Sequence, residues 1–378
     1  MKIGLDIRNV GKNRTGDETV FFHLAKYLPL VSEEDSFRFL LDDRTEEEIK
    51  ILENRLGVKA FRDTSLYQCG NGNKFLWNAF SAQNAARKLD LDIYHTQYIL
   101  PWGIPKKTKM ITHIHDISFA RYPEYLSYKD RFFLQTLIPK SIERSSAIIA
   151  VSEFTKEELI HYYRIKSEKI FVIPNAVEDV YGQDISTNFQ KEEVKKKYIL
   201  PKKFIFHIGT LQPRKNIPFL LVAFSQLLKK IPDVALVFTG SKKSYHFDTS
   251  IEETIIKYKL QKSVLFLGYI PEEDLKIIMD LSDTIVSVSL YEGFGLPLLE
   301  AMARNIPLVV SDIPPYREVA ENAALFVPFK KEILTESLYR VIIDKHFSQS
   351  LREKGSERKK LFNWKKSAQM LAEVYHKM

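Results

Sequence analysis

Short apolar runs alternate with longer amphipathic ones along the whole chain. In the first half, KIGLDI (2–7), FRFLL (37–41), DIYHT (92–96), KMITHIH (109–115), SAIIAVS (146–152) and KIFVIP (169–174) predict strands. Between them, TVFFHLAKYL (19–28), FLWNAFSAQNAARKL (75–89) and EFTKEELIHYY (153–163) predict helices. Ser152 and Thr155 are N-cap signals for the last of these, and Thr155 with Glu158 spells a capping box. Strands apolar throughout, parted by helices, belong to a parallel sheet covered on both faces.

The rhythm then restarts. Residues 182–200 are polar and charged, a linker ending in a short helix. After them FIFHIGT (204–210), VALVFTG (234–240), SVLFLGY (263–269), TIVSVSL (284–290) and PLVVSD (307–312) predict five more strands, with a helix over 216–230. Two doubly wound α/β domains are therefore expected, at 1–180 and 181–361. The basic tail places Leu361, Trp364, Ala368, Leu371 and Val374 at helical spacing, one stripe for docking.

Composition narrows the class. The 378 residues are 45% hydrophobic and 28% charged, a globular balance. A single cysteine, Cys69, excludes an intramolecular disulfide framework and suits a reducing, cytoplasmic setting. Charge inside MKIGLDIRNV argues against a signal peptide, and no apolar run approaches the roughly 20 residues of a membrane span. The net charge of +8 favours anionic partners. Lysine and arginine are scattered through both halves without a recognition motif, so nucleic acid is not the expected partner.

The most informative stretch is SLYEGFGLPLLEAMARNIPLVVSDIPPYREV (289–319). Glu292 stands just past the carboxyl end of a strand, where doubly wound sheets bind ligands. Gly293 and Gly295 permit a sharp turn, and Pro297 opens a helix whose free amides suit phosphate. Glu300 lies one turn inside that helix. Carboxylates accept only, so acids at both ends of an anion site point to hydroxyls at both ends of the ligand. HIGTLQPRKN (207–216) has the matching form: Gly209 and Thr210 follow a strand, then Arg214 and Lys215 offer a clamp for a pyrophosphate.

E-G-F-G-L-P-x-x-E resembles the E-x7-E motif of retaining glycosyltransferases of family 4, and the Arg-Lys-Asn segment resembles their diphosphate signature. The resemblance implies a GT-B fold: two Rossmann-like domains facing a central cleft, with a final helix (362–378) crossing back onto the first. It implies that Glu292 contacts the donor hexose and Glu300 the ribose. Amides of Phe294, Gly295 and Leu296 approach sugar and phosphate, while Arg214 and Lys215 hold the diphosphate. SVLFLGYIPEEDL puts Tyr269 and Ile270 beside the base. His115, the last residue of KMITHIH, matches a histidine near the reacting sugar, with a positioning role. Gly16 matches the glycine loop before the first helix, although Glu18 stands where many members have a second glycine. PNAVE (174–178) matches the interdomain hinge, with Ala176 for glycine.

The expected activity is transfer of a hexose, mannose first, from a GDP- or UDP-linked donor to a glycan or lipid-linked acceptor hydroxyl. No other cofactor is expected. His113, His115 and Asp116 have metal-like spacing, but no second matching cluster follows, and Asp90-Leu91-Asp92 reads as a solvated connection. No metal site is expected. An epimerase of the same fold, or a non-catalytic nucleotide-sugar binding protein, is the alternative. The epimerase should lack Glu292, and loss of Glu292, Arg214 or Lys215 would signal the binding protein. Residues 121–144 set Tyr125, Tyr128, Phe132 and Phe133 beside Arg121, Lys129, Arg131 and Arg144. That mixture suits either a core-facing stripe or peripheral attachment to an anionic membrane surface.

Overall fold

A computed structural model of the chain describes residues 1–378 except 13–15, 71–72, 179–185 and 243–245. The expected boundary between 180 and 181, the start of the linker and part of the first glycine turn lie outside the described residues. The chain divides into two compact units. The first comprises Met1–Arg121, Ser127–Ala176 and Asn363–Met378; the second comprises Tyr122–Leu126 and Val177–Phe362.

Seven strands build the first unit: β1 (Lys2–Asp6), β2 (Ser36–Leu41), β3 (Thr64–Gln68), β4 (Ile93–Gln97), β5 (Lys109–Ile114), β6 (Ala147–Ala150) and β7 (Ile170–Val172). They pair in parallel in the order β3-β2-β1-β4-β5-β6-β7, with Ile3 opposite both Phe37 and Ile93. Parallel neighbours need helical crossovers, which explains the alternation in the sequence. The direction of winding reverses between β1 and β4, so the turns after them share the crevice at that switch point.

The C-terminal helix Trp364–His376 belongs to this unit. Asn363 caps it by accepting from Lys365 and Lys366 amides. Trp364 stacks on His23 at 4.9 Å, the Ser367 hydroxyl donates to the Pro174 carbonyl at 2.7 Å, and Tyr375 bonds the His95 ring at 2.6 Å. Ala368, Leu371 and Val374 are buried as the spacing required, while Leu361 stays exposed ahead of the helix.

Six strands build the second unit: β8 (Phe204–His207), β9 (Ala235–Phe238), β10 (Val264–Phe266), β11 (Thr284–Ser287), β12 (Leu308–Ser311) and β13 (Leu325–Val327). Their order is β10-β9-β8-β11-β12-β13, again all parallel, with the reversal between β8 and β11. Helix Ile217–Leu227 buries Leu220, Leu221, Phe224 and Leu227 against this sheet.

Several local expectations need correction. Thr155 is not an N-cap: Ser152 caps helix Glu153–Tyr163 by accepting the Thr155 amide, and Glu158 instead accepts from Arg121. Capping boxes stand instead at Thr45 with Glu48, before helix Glu46–Leu56, and at Thr187 with Gln190, before helix Asn188–Tyr198. The helix over 75–89 is interrupted by a π-helical turn, Trp77–Ser81. Strands β3 and β13 carried no clear signal, because TSLYQ is mostly polar and LFV is three residues long. The second-half strands end earlier than their apolar runs, since the last residues of each run enter the turns beyond the strand ends.

Candidate active site

Arg214 and Lys215 follow β8, and Glu292 follows β11. These strands are neighbours at the reversal of the second sheet, so two segments almost 80 residues apart meet at one crevice. The backbone seals the meeting, because the Leu290 amide donates to the Arg214 carbonyl at 2.8 Å. Pro213 starts a short 3-10 turn, Pro213–Lys215, that delivers both cations together.

Glu292 is buried, and so is Lys215. Arg214 Nη1 donates to Glu292 Oε2 at 2.7 Å and to the Tyr291 carbonyl at 3.2 Å. Lys215 Nζ donates to Glu292 Oε1, which also accepts from the Ser289 hydroxyl at 2.8 Å. Burial by itself would raise the Glu292 pKa. The two neighbouring cations and their hydrogen bonds outweigh it and hold the carboxyl far below its usual range. Two positive charges thus share one negative charge, and the cluster retains a net positive charge for an anion.

The rest of the turn supplies backbone. Gly295 lies at φ +111, a left-handed conformation that a side chain would strain. Phe294 is buried edge-on against Phe362 at 5.9 Å, which leaves only its main chain for a ligand. Helix Leu296–Ala303 begins immediately, with Pro297 in its first turn and Glu300 buried one turn in. On the β8 side, Gly209 at φ +152 donates its amide to the Thr239 hydroxyl at 2.9 Å, and Thr210 is exposed. Tyr269 is 65% exposed, whereas Ile270 is buried.

His207 ends β8 fully buried, its Nδ1 3.0 Å from the Val286 carbonyl. Burial, then the charge of Lys215, pushes its pKa down to about 4, so the ring is neutral. The sequence did not single this residue out.

In the first unit, Gly16 opens helix Gly16–Val31 and is exposed. Glu18 turns back to accept the Gly11 amide at 2.8 Å, a bond that a second glycine at this position could not make. His115 follows β5 and is buried, with Nε2 3.8 Å from Asp17 Oδ1. Its ring stacks on His113 at 4.7 Å, which stacks on His95 at 5.6 Å. Burial, with the nearby His115, pushes His95 down to about 3 and His113 well below its ordinary value, so both are neutral. Alternation along β4 and β5 places these rings, but their stacking needed the sheet register. His113, His115 and Asp116 form no metal-like cluster among the described residues; the single such grouping is Glu34, Asp35 and His376.

Helix Tyr128–Arg144 buries Ile138, Ser141 and Ile142. Tyr128 and Phe132 are 84% and 67% exposed, so its aromatic stripe does not face the core. Among the described residues no helix is long and apolar enough to cross a membrane.

A family profile described as Glycosyltransferase Family 4 matches residues 16–180, and one described as Glycosyl transferases group 1 matches residues 188–358. The chain is 28% identical over 288 residues to O-antigen chain mannosyltransferase B of Escherichia coli, spanning 75% of this chain and 74% of that one. It is 30% identical over 242 residues to O-antigen chain mannosyltransferase RfbU of Salmonella typhimurium, spanning 64% and 61%. A crystal structure of HepE from Anabaena, in complex with UDP and glucose, has the same fold, with a TM-score of 0.75 over 100% of both chains at 17% identity.

Proposed function

The chain belongs to the family 4 glycosyltransferases, and on that premise we propose that it transfers mannose from a nucleoside diphosphate to a glycan hydroxyl with retention of anomeric configuration. The relatives named as mannosyltransferases support the sugar. The observation that carries the site assignment is the junction of Arg214, Lys215 and Glu292 at the β8/β11 reversal.

In this reading Arg214 and Lys215 take the diphosphate, whose negative charge grows as the bond from sugar C1 to the phosphate oxygen breaks. The acceptor oxygen joins C1 on the same face, and its proton passes to the departing phosphate oxygen. Glu292 accepts from sugar hydroxyls, and Glu300 from the ribose. Amides of Phe294, Gly295 and Leu296 approach sugar and phosphate, and Gly209 and Thr210 line the phosphate side. Gly16 is assigned a backbone contact to the phosphates. Tyr269 and Ile270 border the base, and His115 positions the reacting sugar. No metal or further cofactor is required, because the two cations already carry the leaving-group charge.

The acceptor is proposed to be lipid-linked, met at an anionic membrane surface. Exposed Tyr128 and Phe132 beside Lys129 and Arg131 support that reading.

The test is calorimetric titration of GDP-mannose, UDP-glucose, UDP-N-acetylglucosamine and ADP-glucose, followed by product analysis by NMR. Binding of GDP-mannose and an α-linked product from this α-linked donor are expected. Binding of none of the four would defeat the assignment.

A further inference from the structure

Tyr316 lies 24 residues beyond Glu292, in helix Pro314–Ala320 after β12, outside the motif on which the glycosyltransferase reading rests. It is almost fully buried. Its hydroxyl stands 2.6 Å from the Ser287 hydroxyl, 3.2 Å from the Ser289 hydroxyl and 3.5 Å from Glu292 Oε1. Ser289 in turn donates to the same Oε1 at 2.8 Å. The edge of the ring lies under Gly295, where an added Cβ would come within 2.9 Å of Cε1. One side chain therefore touches both the acid and the glycine of the Glu292–Gly295 turn.

We propose that Tyr316 is a positioning residue for transfer: its hydroxyl fixes the rotation of the Glu292 carboxylate, and its ring fixes the height of the turn at Gly295. The proposal rests on Glu292 meeting the donor sugar.

The chemistry suits the task. Arg214 anchors Oε2 from one side, while Lys215, Ser289 and Tyr316 converge on Oε1 from the other. Rotation of the carboxyl group would break bonds at both oxygens at once. A phenol supplies this restraint without adding a charge, so the surplus positive charge of the cluster stays available to a diphosphate. Burial, then the charge of Glu292, raises the Tyr316 pKa well above that of an ordinary phenol, so the O–H group persists as a donor at any working pH. A carboxylate held in place before the sugar arrives needs no reorganisation during the reaction.

Tyr316→Phe keeps the ring under Gly295 and removes the hydroxyl alone. With GDP-mannose as donor, kcat should fall about tenfold, the effect of one lost hydrogen bond, while GDP affinity stays within about twofold. Ser289→Ala should do the same. The double variant should fall by much less than the product of the two, because both act through one carboxylate. The fold is checked by thermal unfolding of each variant. Wild-type kcat in Tyr316→Phe overturns the proposal. So does a parallel loss of kcat, GDP affinity and melting temperature, which marks a role confined to packing. A wild-type protein that neither binds nor turns over any nucleotide sugar instead overturns the functional reading beneath it.

Discussion

The Arg214 guanidinium lies 2.7 Å from the Glu292 carboxylate, and Lys215 holds the other oxygen of the same group. On the proposed reading, a diphosphate and Glu292 draw on the same two cations. The sequence suggested separate duties, with the acid touching only sugar. With the diphosphate taken by Arg214 and Lys215 as proposed, the duties compete, and this changes what a substitution at Glu292 should do.

Glu292→Gln keeps the shape of the side chain and removes its charge. Transfer should drop by about 10²–10³, as when a group stabilising the transition state is lost. GDP affinity should rise by roughly tenfold, because the cations lose their internal anion. Titration calorimetry reads the second effect directly. A GDP affinity below that of the wild type would show that the acid and the diphosphate do not compete.

Lys215→Met should lower GDP affinity by about ten- to a hundredfold, the range of a charge-assisted hydrogen bond. Glu292 would then keep Arg214 as its one cationic partner in this cluster, and its carboxyl pKa should rise toward the ordinary value. Unchanged GDP affinity would remove Lys215 from the diphosphate site.

Stability should be flat near neutral pH and fall on acidification. His95 at about 3 and His207 at about 4 stay neutral when folded, as does His113. In the unfolded chain each takes up a proton near pH 6.5, so the unfolded state binds more protons below that value. The melting temperature should therefore decline from about pH 6.5 downward, toward the folded-state values. Glu292, with its depressed pKa, adds to the loss below its unfolded value of about 4.3. His207→Leu should make the decline shallower between pH 6.5 and 4. An equally steep decline in this variant would exclude His207 as a contributor.

Tyr128→Ser with Phe132→Ser alters only exposed side chains of helix Tyr128–Arg144. Flotation with vesicles containing anionic lipid should be reduced several-fold, with GDP affinity unchanged. Absence of flotation in the wild type would remove the membrane from the account of the acceptor.

Period and punctuation in the sequence determined a good deal. Fully apolar strands between amphipathic helices announced two parallel sheets. Gly293, Gly295 and Pro297 announced a turn into a helix, and the residue types at Arg214, Lys215, Glu292 and Glu300 announced charged turns past the strand ends. These are local properties, set by side-chain chemistry and spacing within a few residues. Tertiary structure alone decided who meets whom. Strand order brought Arg214 beside Glu292, the β4/β5 register stacked His95, His113 and His115, and the turn after β12 carried Tyr316 under Gly295. Tyr316 reads in the sequence as an ordinary buried aromatic, because the partners of its hydroxyl are 24–29 residues away and no local period encodes them. Contacts across a sheet depend on which strands become neighbours, and that choice is settled by the packing of the whole domain.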